Sequence, residues 1–183
     1  MENKVAVKII AFYGGPGSGK SSVAYKLAGA LKSKHINCEL VTEVAKDVTW
    51  EQNFHQLKNQ LFIVAKQFDR IRRLEDKVNY IIMDAGLLQN IPYFKDERYK
   101  NELTNIMINL HNSYKTINFF VHRPINYDIN GRKEDLQESI DIDNLTLQIL
   151  KDEGVKFKEI TPDININNIV ALIEMEAEND GKE

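Results

Sequence analysis

Two hydrophobic rhythms alternate along the chain. Short, nearly unbroken apolar runs such as Val5-Ala6-Val7-Lys8-Ile9-Ile10-Ala11-Phe12-Tyr13 and Tyr80-Ile81-Ile82-Met83 predict buried strands over residues 5–13 and 80–83. Similar runs predict strands over 38–42, 116–121 and 155–160. Between them the apolar residues return every three or four positions, the spacing of a one-sided helix. Val23, Leu27, Ala30 and Leu31 predict a helix over 19–34. Phe54, Leu57, Leu61, Val64, Phe68, Ile71 and Leu74 predict one long helix over 51–76. Further helices are predicted over 95–113, up to a C-cap at Gly154, and over 167–176. Strands that alternate with helices build βαβ units, so the sheet should be parallel and covered on both faces.

Ligands of such sheets bind beyond the carboxyl ends of the strands, which directs attention to the residues found there. After the first strand the chain reads Gly14-Gly15-Pro16-Gly17-Ser18-Gly19-Lys20-Ser21, followed by Ser22, a complete GxxxxGK[ST] phosphate-binding loop. The glycines let backbone N–H groups turn toward phosphate oxygens because no Cβ blocks the approach. Lys20 would reach the β- and γ-phosphates, Ser21 would hold Mg²⁺, and the helix N-terminus adds partial positive charge. The expected fold is therefore a three-layer α/β/α P-loop NTPase with a five-stranded parallel sheet, of the nucleoside/nucleotide kinase kind.

At 183 residues with 43% hydrophobic residues, the chain suits one such domain, expected over 1–176, with an acidic flexible tail over 177–183. A net charge of −3 favours a small-molecule partner over a nucleic-acid backbone. The single cysteine, Cys38, excludes an internal disulfide and fits a reducing cytoplasm. Apolar runs are too short for a membrane span, and the N-terminal residues lack a secretory signal, so a cytoplasmic protein is expected.

Two carboxylates end strands beside the loop: Glu43 after the second and Asp84 after the third. Phosphoryl transfer to a hydroxyl needs a carboxylate to take or orient its proton, and a second acid near Mg²⁺ is common. Both are expected in the site, Asp84 also as a metal-side residue, with the choice of base between them open. The polar segment from about 123 to 135 reads as a lid whose Arg123 and Arg132 would fork onto phosphates. Gln60, Gln67 and Arg70 on the long helix, with Trp50 and Tyr93, are candidate contacts to the acceptor.

The phosphate loop together with Val41-Thr42-Glu43-Val44-Ala45-Lys46 resembles the NadR-type AAA domain, the ribosylnicotinamide kinase-like group of P-loop kinases. Members of that group tend to carry a glutamate–x–alanine–basic pattern after strand 2, as Glu43, Ala45 and Lys46 do here. The stretch from Arg123 to Arg132, with Glu138 and the Ile142-Asp143 pair, is similar to the lid and following helix of small phage-encoded relatives. Deoxynucleoside and thymidylate kinases also place a glutamate there, but Val44 stands where their proline would.

The resemblance implies a free-standing kinase that moves the γ-phosphoryl group of ATP, with Mg²⁺, to a nucleoside or nucleotide-like small molecule. It also implies a host-cytoplasmic setting for a phage-encoded member, and kinases of this shape are often homodimers through exposed helices. Alternatives are a kinase acting on a nucleotide or modified base in DNA and a regulatory ATPase with no acceptor.

Overall fold

The computed structural model describes residues 7–124 and 135–180, the side chains of 178–180 excepted. Arg132 and most of the expected lid therefore lie outside the described residues. Five strands, β1 (Lys8–Tyr13), β2 (Cys38–Val41), β3 (Tyr80–Met83), β4 (Lys115–Val121) and β5 (Phe157–Ile160), form one sheet. All neighbours run parallel in the order β2-β3-β1-β4-β5. β1 holds the centre, with Ile10 in register with Ile82 on one side and Ile117 on the other.

Side chains of a strand alternate between faces, and β1 feeds both cores. Ile10 and Phe12 pack with Val23, Leu27 and Leu31 of α1 (Lys20–Ser33) and with Ile169 and Ile173 of α7 (Ile166–Asp180). Phe12 also stacks on Phe119 with ring centres 5.5 Å apart. Ile9, Ala11 and Tyr13 face the other core. There they meet Ile71 of α4 (Gln60–Arg72), Met107 of α5 (Lys100–Asn112) and Leu150 of α6 (Leu136–Asp152). Helices α1 and α5, which follow adjacent strands β1 and β3, thus leave to opposite faces and open a crevice at the carboxyl edge.

The expected long helix over 51–76 is instead three helices: α2 (Val44–Trp50), α3 (Phe54–Leu57) and α4. Asparagines interrupt it. The Asn53 side-chain oxygen accepts the Gln56 N–H at 3.3 Å, and that of Asn59 accepts the Phe62 N–H at 3.2 Å, so each begins a new helix. Gln52 just before the first break has a φ of 56°, which no helix continues. The helix expected from residue 95 starts only at Lys100, and a 3-10 segment, Leu87–Tyr93, fills the preceding turn. An Asp135–Glu138 capping box opens α6, and Gly154 just past its end has a φ of 63°. Helix α7 runs on to Asp180, beyond the boundary expected at 176.

Candidate active site

The glycine loop leaves β1 in a path that side chains resist. Gly14, Gly17 and Gly19 have φ values of 133°, 80° and 94°. A Cβ on Gly15 would stand 2.4 Å from the Ser139 carbonyl oxygen of α6, so another helix leans directly on the loop. Within the loop, the Ser18 N–H donates to the Gly15 carbonyl at 3.2 Å. Lys20, at the start of α1, is 8% exposed, and its Nζ donates to the carbonyls of Gly14 at 2.5 Å and Gly15 at 3.0 Å.

Charge converges on that ammonium. Burial pulls the Lys20 pKa below the ordinary lysine value, the carboxylates of Glu43, Asp84 and Asp143 pull it back up, and Arg123 adds to the lowering. Glu43 is the N-cap of α2, so the turn after β2 carries it to the edge of the cleft. Asp84 directly follows β3 and is 1% exposed, yet neither of its carboxylate oxygens has a hydrogen-bond partner among the described residues. The buried Ser18 hydroxyl is in the same condition. Lys46, one turn into α2, brings its Nζ to 3.5 Å from the Ser21 hydroxyl.

A cavity of about 1170 Å³ opens beside the loop. Its wall includes Pro16, Gly17, Gly19, Lys20, Ser21 and Ser22 on one side, and Glu43, Trp50, Gln60 and Tyr93 on the other. A smaller hollow of about 450 Å³, lined in part by His122, Thr161, Asp163 and Asn168, lies beyond the ends of β4 and β5.

Two expected acceptor contacts do not border the cavity. The Gln67 side-chain oxygen accepts the Val44 N–H at 3.1 Å, and Gln67 is 3% exposed. Arg70 Nη1 donates to the Thr42 carbonyl at 3.1 Å and the Thr42 hydroxyl at 3.0 Å, while Nη2 meets Asp47 at 2.6 Å. Both residues fasten the β2–α2 turn, and thereby Glu43, from behind. Arg123 is held at the loop itself: Nη1 donates to the Pro16 carbonyl at 2.5 Å, and Nη2 to Asp143 at 2.7 Å. Sequence reading assigned no role to Gln89 or Thr146 and met Asp143 only in the Ile142-Asp143 pair; Gln89 and Asp143 also reach the loop, and Thr146 reaches Gln89. Asp143 and Thr146 share a polar face of α6 with Ser139, whereas Gln89 carries no such signal.

The residues present fit a magnesium nucleotide. No cluster of three His, Cys, Asp or Glu side chains that could cage a metal occurs among the described residues. Mg²⁺ commonly takes only one or two protein ligands and fills its shell with waters and substrate phosphates. A buried carboxylate with no hydrogen-bond partner is the kind of group such a hydrated cation satisfies.

Sheet order and glycine loop together define a P-loop protein with the nucleotide-kinase fold. The chain belongs to the AAA domain family, whose profile matches residues 9–165. A deoxyadenosine kinase from M. mycoides, solved with dCMP and dCDP bound, superimposes with a TM-score of 0.59 at 17% identity. That match covers 93% of this chain and 99% of the other. The Mycobacterium tuberculosis APS kinase gives a TM-score of 0.47 at 17% identity over 92% of this chain and 98% of that one. No curated protein matches the chain in sequence.

Proposed function

We propose that the protein is an ATP-dependent phosphotransferase that moves the γ-phosphoryl group of ATP to a nucleoside or nucleotide-like small molecule. The observation that carries this reading is the meeting of Lys20, Ser21, Glu43 and the Asp84 carboxylate, unpartnered among the described residues, at one carboxyl edge, with a cavity large enough for an acceptor beside them. The donor triphosphate lies along the loop, with its base toward the hollow beyond β4 and β5 and its terminal phosphoryl toward the larger cavity. Loop N–H groups and Lys20 bind its phosphates. Ser21, and Asp84 across water, would hold Mg²⁺, which neutralises phosphate charge when bound.

Glu43 takes or orients the proton of the attacking hydroxyl, and its firm backing by Gln67 and Arg70 keeps it in place. Trp50, Gln60 and Tyr93 contact the acceptor. Arg132 neutralises charge developed in transfer, whereas Arg123 reaches phosphate only by exchanging its bonds to Pro16 and Asp143. The NadR-type likeness of the phosphate loop with Glu43, Ala45 and Lys46, and the phage-encoded likeness of the stretch from Arg123 to Arg132 with Glu138, Ile142 and Asp143, belong to this same proposal.

A panel of nucleosides, nucleotides and nicotinamide riboside, incubated with Mg·ATP and read by mass spectrometry, tests it. One acceptor should gain a phosphoryl group. Lys20→Ala should abolish the product, and Glu43→Gln should bind ATP normally while transferring about 10²–10⁴-fold more slowly. ADP released with no phosphorylated product anywhere in the panel would replace this reading with that of an ATPase.

A further inference from the structure

The first residues of the glycine loop are each held by side chains that trace back to one face of α6. The Gly14 N–H donates to Gln89 Oε1 at 2.9 Å, and Gln89 Nε2 donates in turn to Thr146 Oγ1 at 3.1 Å. The Gly15 N–H donates to Asp143 Oδ1. The Pro16 carbonyl accepts from Arg123, whose Nε and Nη2 donate to Asp143 Oδ2 at 3.1 and 2.7 Å, and whose Nη2 also donates to the Ser139 carbonyl at 3.1 Å. Residues 139, 143 and 146 follow the i, i+4, i+7 spacing of a single helix face. Ser139 and Thr146 are fully buried, a location in which apolar residues would ordinarily serve better.

The loop needs this support because its own backbone supplies little. Gly14, with a φ of 133°, is free to swing its peptide groups as no other residue could. Those peptides matter: the Gly14 and Gly15 carbonyls hold the Lys20 ammonium, so their direction sets where Lys20 points. The Gly14 N–H can only donate, which turns the Gln89 amide so that its oxygen faces the loop and its nitrogen faces Thr146.

We propose that Thr146, Gln89 and Asp143 are positioning residues for the nucleotide loop, presetting the Gly14–Pro16 backbone and Lys20 before the triphosphate arrives. The proposal rests on the reading of the loop as an ATP site. A loop already in its bound shape loses less conformational freedom on binding, so its support appears as affinity.

Thr146→Val, which exchanges the hydroxyl for a methyl group of similar size, and Thr146→Ser, which restores a hydroxyl, separate positioning from packing. Calorimetric titration of the full chain with Mg·ATP should show Thr146→Val weaker by about tenfold, or 1.4 kcal/mol, and Thr146→Ser within about twofold of the natural protein. Amide exchange at Gly14 should also quicken in Thr146→Val and recover in Thr146→Ser. Should Thr146→Val not fold, Gln89→Met makes the same comparison from the other end of the chain of bonds. Natural affinity in a folded Thr146→Val or Gln89→Met, with only the melting temperature changed, overturns positioning and leaves the ATP site standing. No heat with the natural protein overturns both.

Discussion

At Asp84 a carboxylate is buried at 1% exposure with both oxygens unpartnered among the described residues, an arrangement that costs the empty protein stability. Its amide counterpart carries no charge to desolvate, and Lys20 keeps the attraction of Glu43 and Asp143 when that of Asp84 is lost. Asp84→Asn is therefore expected to keep or raise the melting temperature while transfer falls by orders of magnitude, and a lowered melting temperature would show that the charge is structurally satisfied. Glycines allow two opposite single-residue outcomes. A Cβ at Gly86 would fall 2.2 Å from the Tyr13 ring, so Gly86→Ala should lose about 3 kcal/mol in denaturant unfolding. Gly29 lies exposed inside α1 with no atom within 4 Å of an added Cβ, so Gly29→Ala should gain about 0.5–1 kcal/mol. The first would fail if the Tyr13 side chain could shift freely, which its complete burial opposes.

Elements were legible where burial dictates composition. The apolar runs of β1, β3 and β4 are buried on both faces, so little but a strand in a covered parallel sheet accommodates them. The same confidence in periodicity misread residues 51–76, because Phe54, Leu57 and Leu61 keep helical spacing across breaks that Asn53 and Asn59 impose through side-chain caps. Those asparagines were visible, and local hydrogen bonding outweighed apolar rhythm. In the site, the loop, Glu43 and Asp84 could be read from local context because strand ends announce them. Gln89, Asp143 and Thr146 could not. Gln89 and Asp143 act on residues 75 and 128 positions away along the chain, and Thr146 acts through Gln89, 57 positions away.

Helix α5 supplies a pH-dependent term. Burial holds His111 below the ordinary histidine pKa, with Tyr13 Oη 3.5 Å from its Nδ1. Below about pH 6.5 the unfolded chain protonates this ring while the folded protein keeps it neutral, so stability declines as pH falls through that range and is flat above it. His111→Gln should flatten the acid side of a plot of unfolding free energy against pH by up to about 1.4 kcal/mol per unit.

For the whole molecule, the cleft has a built-in reporter. Trp50 is the sole tryptophan, is 67% exposed and borders the larger cavity. An acceptor settling against it should shift its emission to the blue, whereas Mg·ATP alone should move it less; equal shifts would place the two ligands differently. No helix among the described residues is long and apolar enough to cross a membrane.

The central position of β1 has a further consequence during synthesis. Its partners are β3, which begins at Tyr80, and β4, which ends at Val121. At translation speeds of about 5–20 residues per second, Ile9, Ile10 and Phe12 wait roughly 6–20 s before both flanking strands have even been made. For that interval β1 has only α1 against one face and neither of its strand partners, which leaves the Ile9, Ala11 and Tyr13 face open to a ribosome-associated chaperone.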